Sequence, residues 1–171
     1  MLTTKLGAWC AKEGVKKFAR VAGNARVLDA LKLQSDGSCM PTTIGAMKKI
    51  TGVTKTKSMT GGISKDVLEQ KLRNHPVTLV GTGIAGPGTK YTSHHAILLL
   101  EMVGDEICVV DLDNTAKQGE GKIYRVVKVY DLLNSFVPDT SGGVDMDGSM
   151  DEPRESLIEP KEDDGGMCVI Q

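Results

Sequence analysis

The apolar positions of this chain change their spacing near its middle. Leu6, Trp9, Val15, Phe18 and Ala19 recur at roughly helical intervals with lysines between them, which predicts an amphipathic helix over Leu6 to Val21. Asn24 is placed to cap a second helix running to Leu33. After the turn-like run Ser35-Asp36-Gly37-Ser38, the segment from Cys39 to Ile50 carries Pro41 in its first turn and an apolar stripe of Ile44, Met47 and Ile50. Cys39 is thus expected at a helix N-terminus. Gly61-Gly62 interrupts the chain, and Ser64 to Asn74 reads as a short helix with Val67, Leu68 and Leu72 inward. From there the pattern is one of β-branched or apolar runs between glycine-containing turns: Val77 to Val80, His95 to Val103, Glu106 to Asp111 and Lys122 to Val129. Tyr130 to Phe136 fits either a closing helix or the end of the last strand, and Pro138 is read as the end of the packed region. Helices first and antiparallel strands afterwards predict an α+β domain.

Charge divides the chain later, after Pro138. Of its 171 residues, those up to Pro138 include 19 Lys and Arg against 12 Asp and Glu, whereas Asp139 to Gln171 include 2 against 10. Excess negative charge with few apolar residues cannot offset the entropy of ordering, so residues 139–171 are expected to form a disordered acidic tail behind one domain at residues 1–138. The four cysteines, Cys10, Cys39, Cys108 and Cys168, form no C-x-x-C pair, which argues against a zinc ribbon or a disulfide framework and for a reducing, cytoplasmic setting. No uninterrupted apolar run suits a signal peptide or a membrane span.

The chemistry-bearing residues gather around Cys39. A thiol is a strong nucleophile only as thiolate, and a helix N-terminus favours that form through its unpaired N–H groups and its dipole. His94 and His95 stand at the entrance of the apolar run Ala96-Ile97-Leu98-Leu99-Leu100, which turns at Gly104-Asp105 and returns to Asp111-Leu112-Asp113-Asn114. A polar cluster beside a histidine can accept a hydrogen bond from the ring and fix its tautomer, which the base of a nucleophile requires. A two-residue turn at Gly104-Asp105 places His95 opposite Asn114; a three-residue loop places it opposite Asp113, with Asp111 a diagonal neighbour on the same face.

In this order and spacing, Leu33 to Asp113 resembles the papain-like cysteine peptidase superfamily, especially compact bacterial members such as the double-glycine leader peptidases and the papain-fold toxin domains. Cys39-Met40-Pro41-Thr42-Thr43 looks like that family's Cys-Gly-Pro-Thr helix start, with Met40 in place of the usual glycine. Gln34 matches the glutamine that helps to hold the oxyanion, and His95-Ala96-Ile97 ahead of Asp111 matches the base and its orienting acid. The resemblance implies a papain-like fold whose nucleophile helix packs on a C-terminal antiparallel sheet. It also implies a Cys39-His95-Asp111 triad that needs no cofactor and attacks peptide or side-chain amide bonds of a protein substrate through a thioester. Asp111 is favoured by the family spacing, with Asp113 and Asn114 as alternates. A monomer acting as an effector or toxin in a target cell fits the bacterial members, and a non-catalytic binding or inhibitor module is the alternative reading.

Other motifs carry less. Gly81-Thr-Gly83-Ile-Ala-Gly86 matches a dinucleotide fingerprint, yet Pro87-Gly88 follows where a helix should begin, so a mobile loop ahead of the histidines is expected instead. Cys39, His95 and Asp111 lack metal-ligand spacing, and Ala116 stands where a calcium loop needs glycine, so no metal is expected. The lysines are dispersed and aromatic residues are few, which argues against nucleic acid. Cys168-Val169-Ile170-Gln171 fits a prenylation signal, from which weak membrane association through Cys168 is expected.

Overall fold

The computed structural model describes residues 18–24, 27, 39–59, 61–86, 89–112 and 124–147. In chain order these form α1 (Ala19–Gly23), α2 (Cys39–Thr51), β1 (Thr56–Met59), α3 (Lys65–Leu72), β2 (Val77–Gly86), β3 (Thr89–Val103), β4 (Glu106–Val110), β5 (Tyr124–Lys128), α4 (Val129–Ser135) and β6 (Phe136–Met146). The strands make one open antiparallel sheet in the order β1-β6-β2-β3-β4-β5. The α+β class expected from the sequence is thereby shown.

The apolar run in β3 has no alternation because both faces of the sheet are covered. Leu98 and Leu100 turn to one face, where they meet Ala46, Met47 and Ile50 of α2 together with Phe18, Val21 and Val27. Ile97 and Leu99 turn to the other, where Leu68 and Leu72 of α3 and Val129 and Leu132 of α4 cover them. The helix ends follow local chemistry. Ser64 accepts a hydrogen bond from the Val67 N–H at the start of α3 (3.2 Å), the usual role of a serine at that position. At the end of α2, Thr51 Oγ1 donates to the Met47 carbonyl (2.9 Å), and Gly52 adopts φ 76°, a left-handed turn that favours glycine. The helix that Asn24 is expected to cap lies almost wholly outside the described residues. The backbone N–H and side-chain amide of Asn24 both donate to the Arg20 carbonyl (3.1 and 2.8 Å), closing α1. Arg20 in turn donates to the carbonyls of Leu72 and Leu100, fastening α1 to α3 and β3.

Two expectations are corrected. Residues 81–86 are strand, not a mobile loop: β2 continues to Gly86, and a side chain at Gly81 or Gly83 would collide with the Val137 or Ser135 carbonyl of the crossing chain. Those glycines admit a close backbone approach, which the phosphate fingerprint imitates. Nor does the packed region end at Pro138. β6 runs to Met146 between β1 and β2, so residues 139–146 lie inside the sheet instead of in a disordered tail. Averaging charge over residues 139–171 hid a short strand at their front, where Val144 and Met146 are buried and the buried Asp145 is paired with Lys71 at 2.6 Å and His75 at 3.5 Å. The rest of the tail, residues 148–171, lies outside the described residues, as does nearly all of the predicted first helix and the predicted segment Asn24 to Leu33 beyond Val27.

Removing β6 would leave β1 without its partner and would open one edge of β2. A chain cut after Pro138 is therefore expected to lose its cooperative thermal transition, measured by circular dichroism against the full chain.

Candidate active site

α2 begins at Cys39, with no acidic side chain in its first turn and with Lys48 and Lys49 in its last. β4 ends at Val110, opposite Leu98, so nearer the start of β3 its edge is free of β4. The start of α2 occupies that edge: buried Thr43 donates its hydroxyl to the Ala96 carbonyl (3.4 Å), and Cys39 is in hydrogen-bond contact with both the Ala96 backbone and the His95 ring. Strand, helix and thiol are thus brought together by the early end of β4.

The hairpin reconciles the two registers weighed from the sequence. Gly104, at φ 63°, and Asp105 form a two-residue turn, which pairs Val103 with Glu106 and Glu101 with Cys108. A bulge between Leu99 and Glu101 then shifts the ladder by one residue, so that Leu99 pairs with Val109 and Leu98 with Val110. Continued beyond β4, this is the register in which Asp111 is a diagonal neighbour of His95. His95 Nε2 lies 2.9 Å from Asp111 Oδ1, and the two side chains are 4% and 0% exposed. With Nε2 so engaged, Nδ1 is the ring nitrogen left for Cys39.

Tyr91 completes the cluster and was not anticipated from the sequence. Its ring stacks on His95 at a centroid separation of 3.6 Å and an interplanar angle of 11°, and its hydroxyl donates to Asp111 Oδ2 at 2.6 Å. Four positions apart on a regular strand, the two rings would be roughly 13 Å apart. They meet because β3 bulges at residues 92–94: Gly81 pairs with His95 but Gly83 pairs with Tyr91. The bulge turns His94 outward, 77% exposed and paired with Asp139 at 2.6 Å. The two adjacent histidines are thereby separated in role by backbone geometry.

The electrostatics favour moving the thiol proton to the ring. Cys39 is pushed below the usual thiol range chiefly by its hydrogen bond to His95, against an opposing effect of burial. Burial disfavours a charged His95, but hydrogen bonds to Asp111 and Cys39 outweigh it and raise the ring to about 9. The pair is thereby biased toward thiolate and imidazolium.

Of the other residues singled out from the sequence, Gln34, Asp113, Asn114, Cys10 and Cys168 lie outside the described residues. Cys108 is buried in the core under α2. No group of three or more His, Cys, Asp or Glu placed to hold a metal occurs among the described residues, and none of their helices is long and apolar enough to cross a membrane. Beside Tyr91, the sequence reading missed Arg125 of β5, a buried cation near Asp111. In comparisons with known proteins, no family model, no curated protein and no solved structure matches the chain.

Tyr91→Phe keeps the stack on His95 and removes one donor to a buried carboxylate. It is expected to cost about 1.5–3 kcal/mol of stability, read from denaturant unfolding, the range for hydrogen bonds to charged groups. Tyr91→Ala, which also removes the stacked ring, is expected to cost more.

Proposed function

We propose that the chain is a cysteine hydrolase of papain-like type that attacks amide carbonyls in protein substrates. One observation carries the reading: Cys39, His95 and Asp111 form a continuous relay from a helix N-terminus to a buried carboxylate, with the proton biased from sulfur to ring. The order of parts along the chain and the antiparallel sheet beneath them support a papain-like architecture.

In the proposed reaction the Cys39 thiolate adds to the carbonyl carbon, forming a C–S bond as the C=O pair moves to oxygen. The oxyanion is stabilised by the Cys39 backbone N–H, with the Gln34 side chain as second donor on the strength of the sequence resemblance. As the tetrahedral intermediate collapses, the C–N bond breaks and the His95 imidazolium passes its proton to the leaving amine. Neutral His95 then takes a proton from water, whose oxygen attacks the thioester and releases the acid and the thiol. The same relay serves peptide cleavage and side-chain deamidation. Mass spectrometry of candidate protein substrates separates the two, since cleavage gives new termini and deamidation gives glutamate at intact positions.

The central test is alkylation with an iodoacetamide probe at pH about 6, where an unperturbed thiol of pKa roughly 8.5 is almost wholly protonated. Cys39 is expected to label selectively; labelling no faster than that of Cys168 would remove the basis of the proposal. Cys39→Ala and His95→Ala are each expected to abolish hydrolysis, with the double variant scarcely worse than either, because the pair acts as one unit. His94→Ala is expected to retain most of it. The pH dependence has a definite sign. Hydrolysis is expected to persist below the usual thiol range because Cys39 is depressed, and to fall as pH rises through about 9, where His95 loses the proton that the leaving amine needs.

A further inference from the structure

Arg125 is buried where a cation is costly. It is 8% exposed, and both terminal nitrogens of its guanidinium are buried without a hydrogen-bond partner among the described residues. On β5 it pairs with Val109 of β4, and Asp111 lies two residues further along, which makes it the diagonal neighbour of Arg125. Asp111 already accepts from His95 at one oxygen and from Tyr91 at the other. Arg125 therefore reaches Asp111 through its charge, without a bond from either terminal nitrogen. A buried ion held in this way is weak evidence of stabilisation, since an apolar residue of similar volume often serves stability as well or better. Stabilisation alone is thus a poor account of a guanidinium with both terminal nitrogens buried and unpartnered among the described residues.

We propose that Arg125 is a positioning residue that acts through Asp111 to limit how firmly His95 holds its proton. The proposal rests on the reading of Cys39 and His95 as nucleophile and base. His95 is faced by Cys39 from α2, by Tyr91 from its own strand and by Asp111 from the end of β4, while β2 presents only Gly81. Behind Asp111 stands Arg125 on β5, and the pair His94–Asp139 lies at the exposed side of the bulge. Arg125 is a cation whose attraction to Asp111 competes with that of the imidazolium. Burial lowers its own proton affinity, while Asp111 and Tyr91 favour its charged form. With Arg125 present, the carboxylate is shared between two cations and the imidazolium remains acidic enough to protonate a leaving amine. Without it, the full carboxylate charge falls on His95, the ring holds its proton more tightly, and the acid step slows while the thiolate persists.

The chain has three histidines, His75, His94 and His95, so ring nitrogen NMR on ¹⁵N-histidine-labelled full chain resolves each titration. Arg125→Met and Arg125→Gln remove the charge while keeping much of the volume, and circular dichroism establishes whether each folds. In a folded variant the His95 midpoint is expected to rise by about one pH unit, the order of effect of one charge on a neighbouring strand in a partly screened interior, with the other two histidine signals as internal references. An unchanged or lowered His95 midpoint in a folded variant overturns the proposal. Loss of the fold in both variants also overturns it, by showing the guanidinium to be structural. The wild-type curve separates this from failure of the underlying reading. An ordinary wild-type midpoint near 6.5 would sink the nucleophile-and-base assignment, whereas a raised midpoint shared by wild type and variant would sink only the role of Arg125.

Discussion

The arrangement around Cys39 depends on one fully buried carboxylate. Asp111 is 0% exposed, and a carboxylate without water must be met by donors or cations, or it will take up a proton. That requirement organises everything near it. His95 supplies one donor and Tyr91 another, and each is held in place by the bond it makes. The His95 ring is fixed from two directions, by the hydrogen bond in its plane and by the Tyr91 ring parallel to its face. A histidine so constrained presents its remaining nitrogen in one direction, and the start of α2 brings the thiol there.

The site also depends on departures from regular sheet geometry. A perfect ladder would keep Tyr91 away from His95, and without the bulge at Leu100 the two-residue turn would pair His95 with Asn114. Each bulge costs local pairing, and each places a side chain that a flat strand would not. Gly81, opposite His95, matters in the same region. Its missing side chain lets the β6 backbone pass close to β2 beside the site.

The elements around the site were legible in the sequence to different degrees. The helix start at Cys39, the apolar β3 and its return to Asp111 are local signals: a stripe at helical spacing, an apolar run, and glycine at a turn. His95 could be preferred over His94 only through the resemblance, because strand parity alone left Asp111, Asp113 and Asn114 open. Tyr91 and Arg125 carry no local signal. Tyr91 enters the site through a bulge that no turn residue announces, and Arg125 through pairing with a strand that ends well before it in the sequence. β6 was missed for the opposite reason, since a real local pattern at Val144 and Met146 was outweighed by the acidity of the residues behind it. Composition judged over a long window hides a strand whose stability comes from its neighbours.

The position of β6 has a consequence for how the protein is made. The parts of the relay come from residues 39 to 111, and β2, β3, β4 and β5 pair in the order in which they leave the ribosome. β6, the last described strand to emerge, takes an interior slot between β1 and β2. Until residue 146 is synthesised, β1 has nothing to join and one edge of β2 stays bare. A nascent chain therefore has all members of the relay some thirty-five residues before its sheet can close, and it spends that interval with an unsatisfied strand edge. Synthesis that pauses in this stretch holds a sticky edge open on the nascent chain, which ties the order of translation to the risk of aggregation.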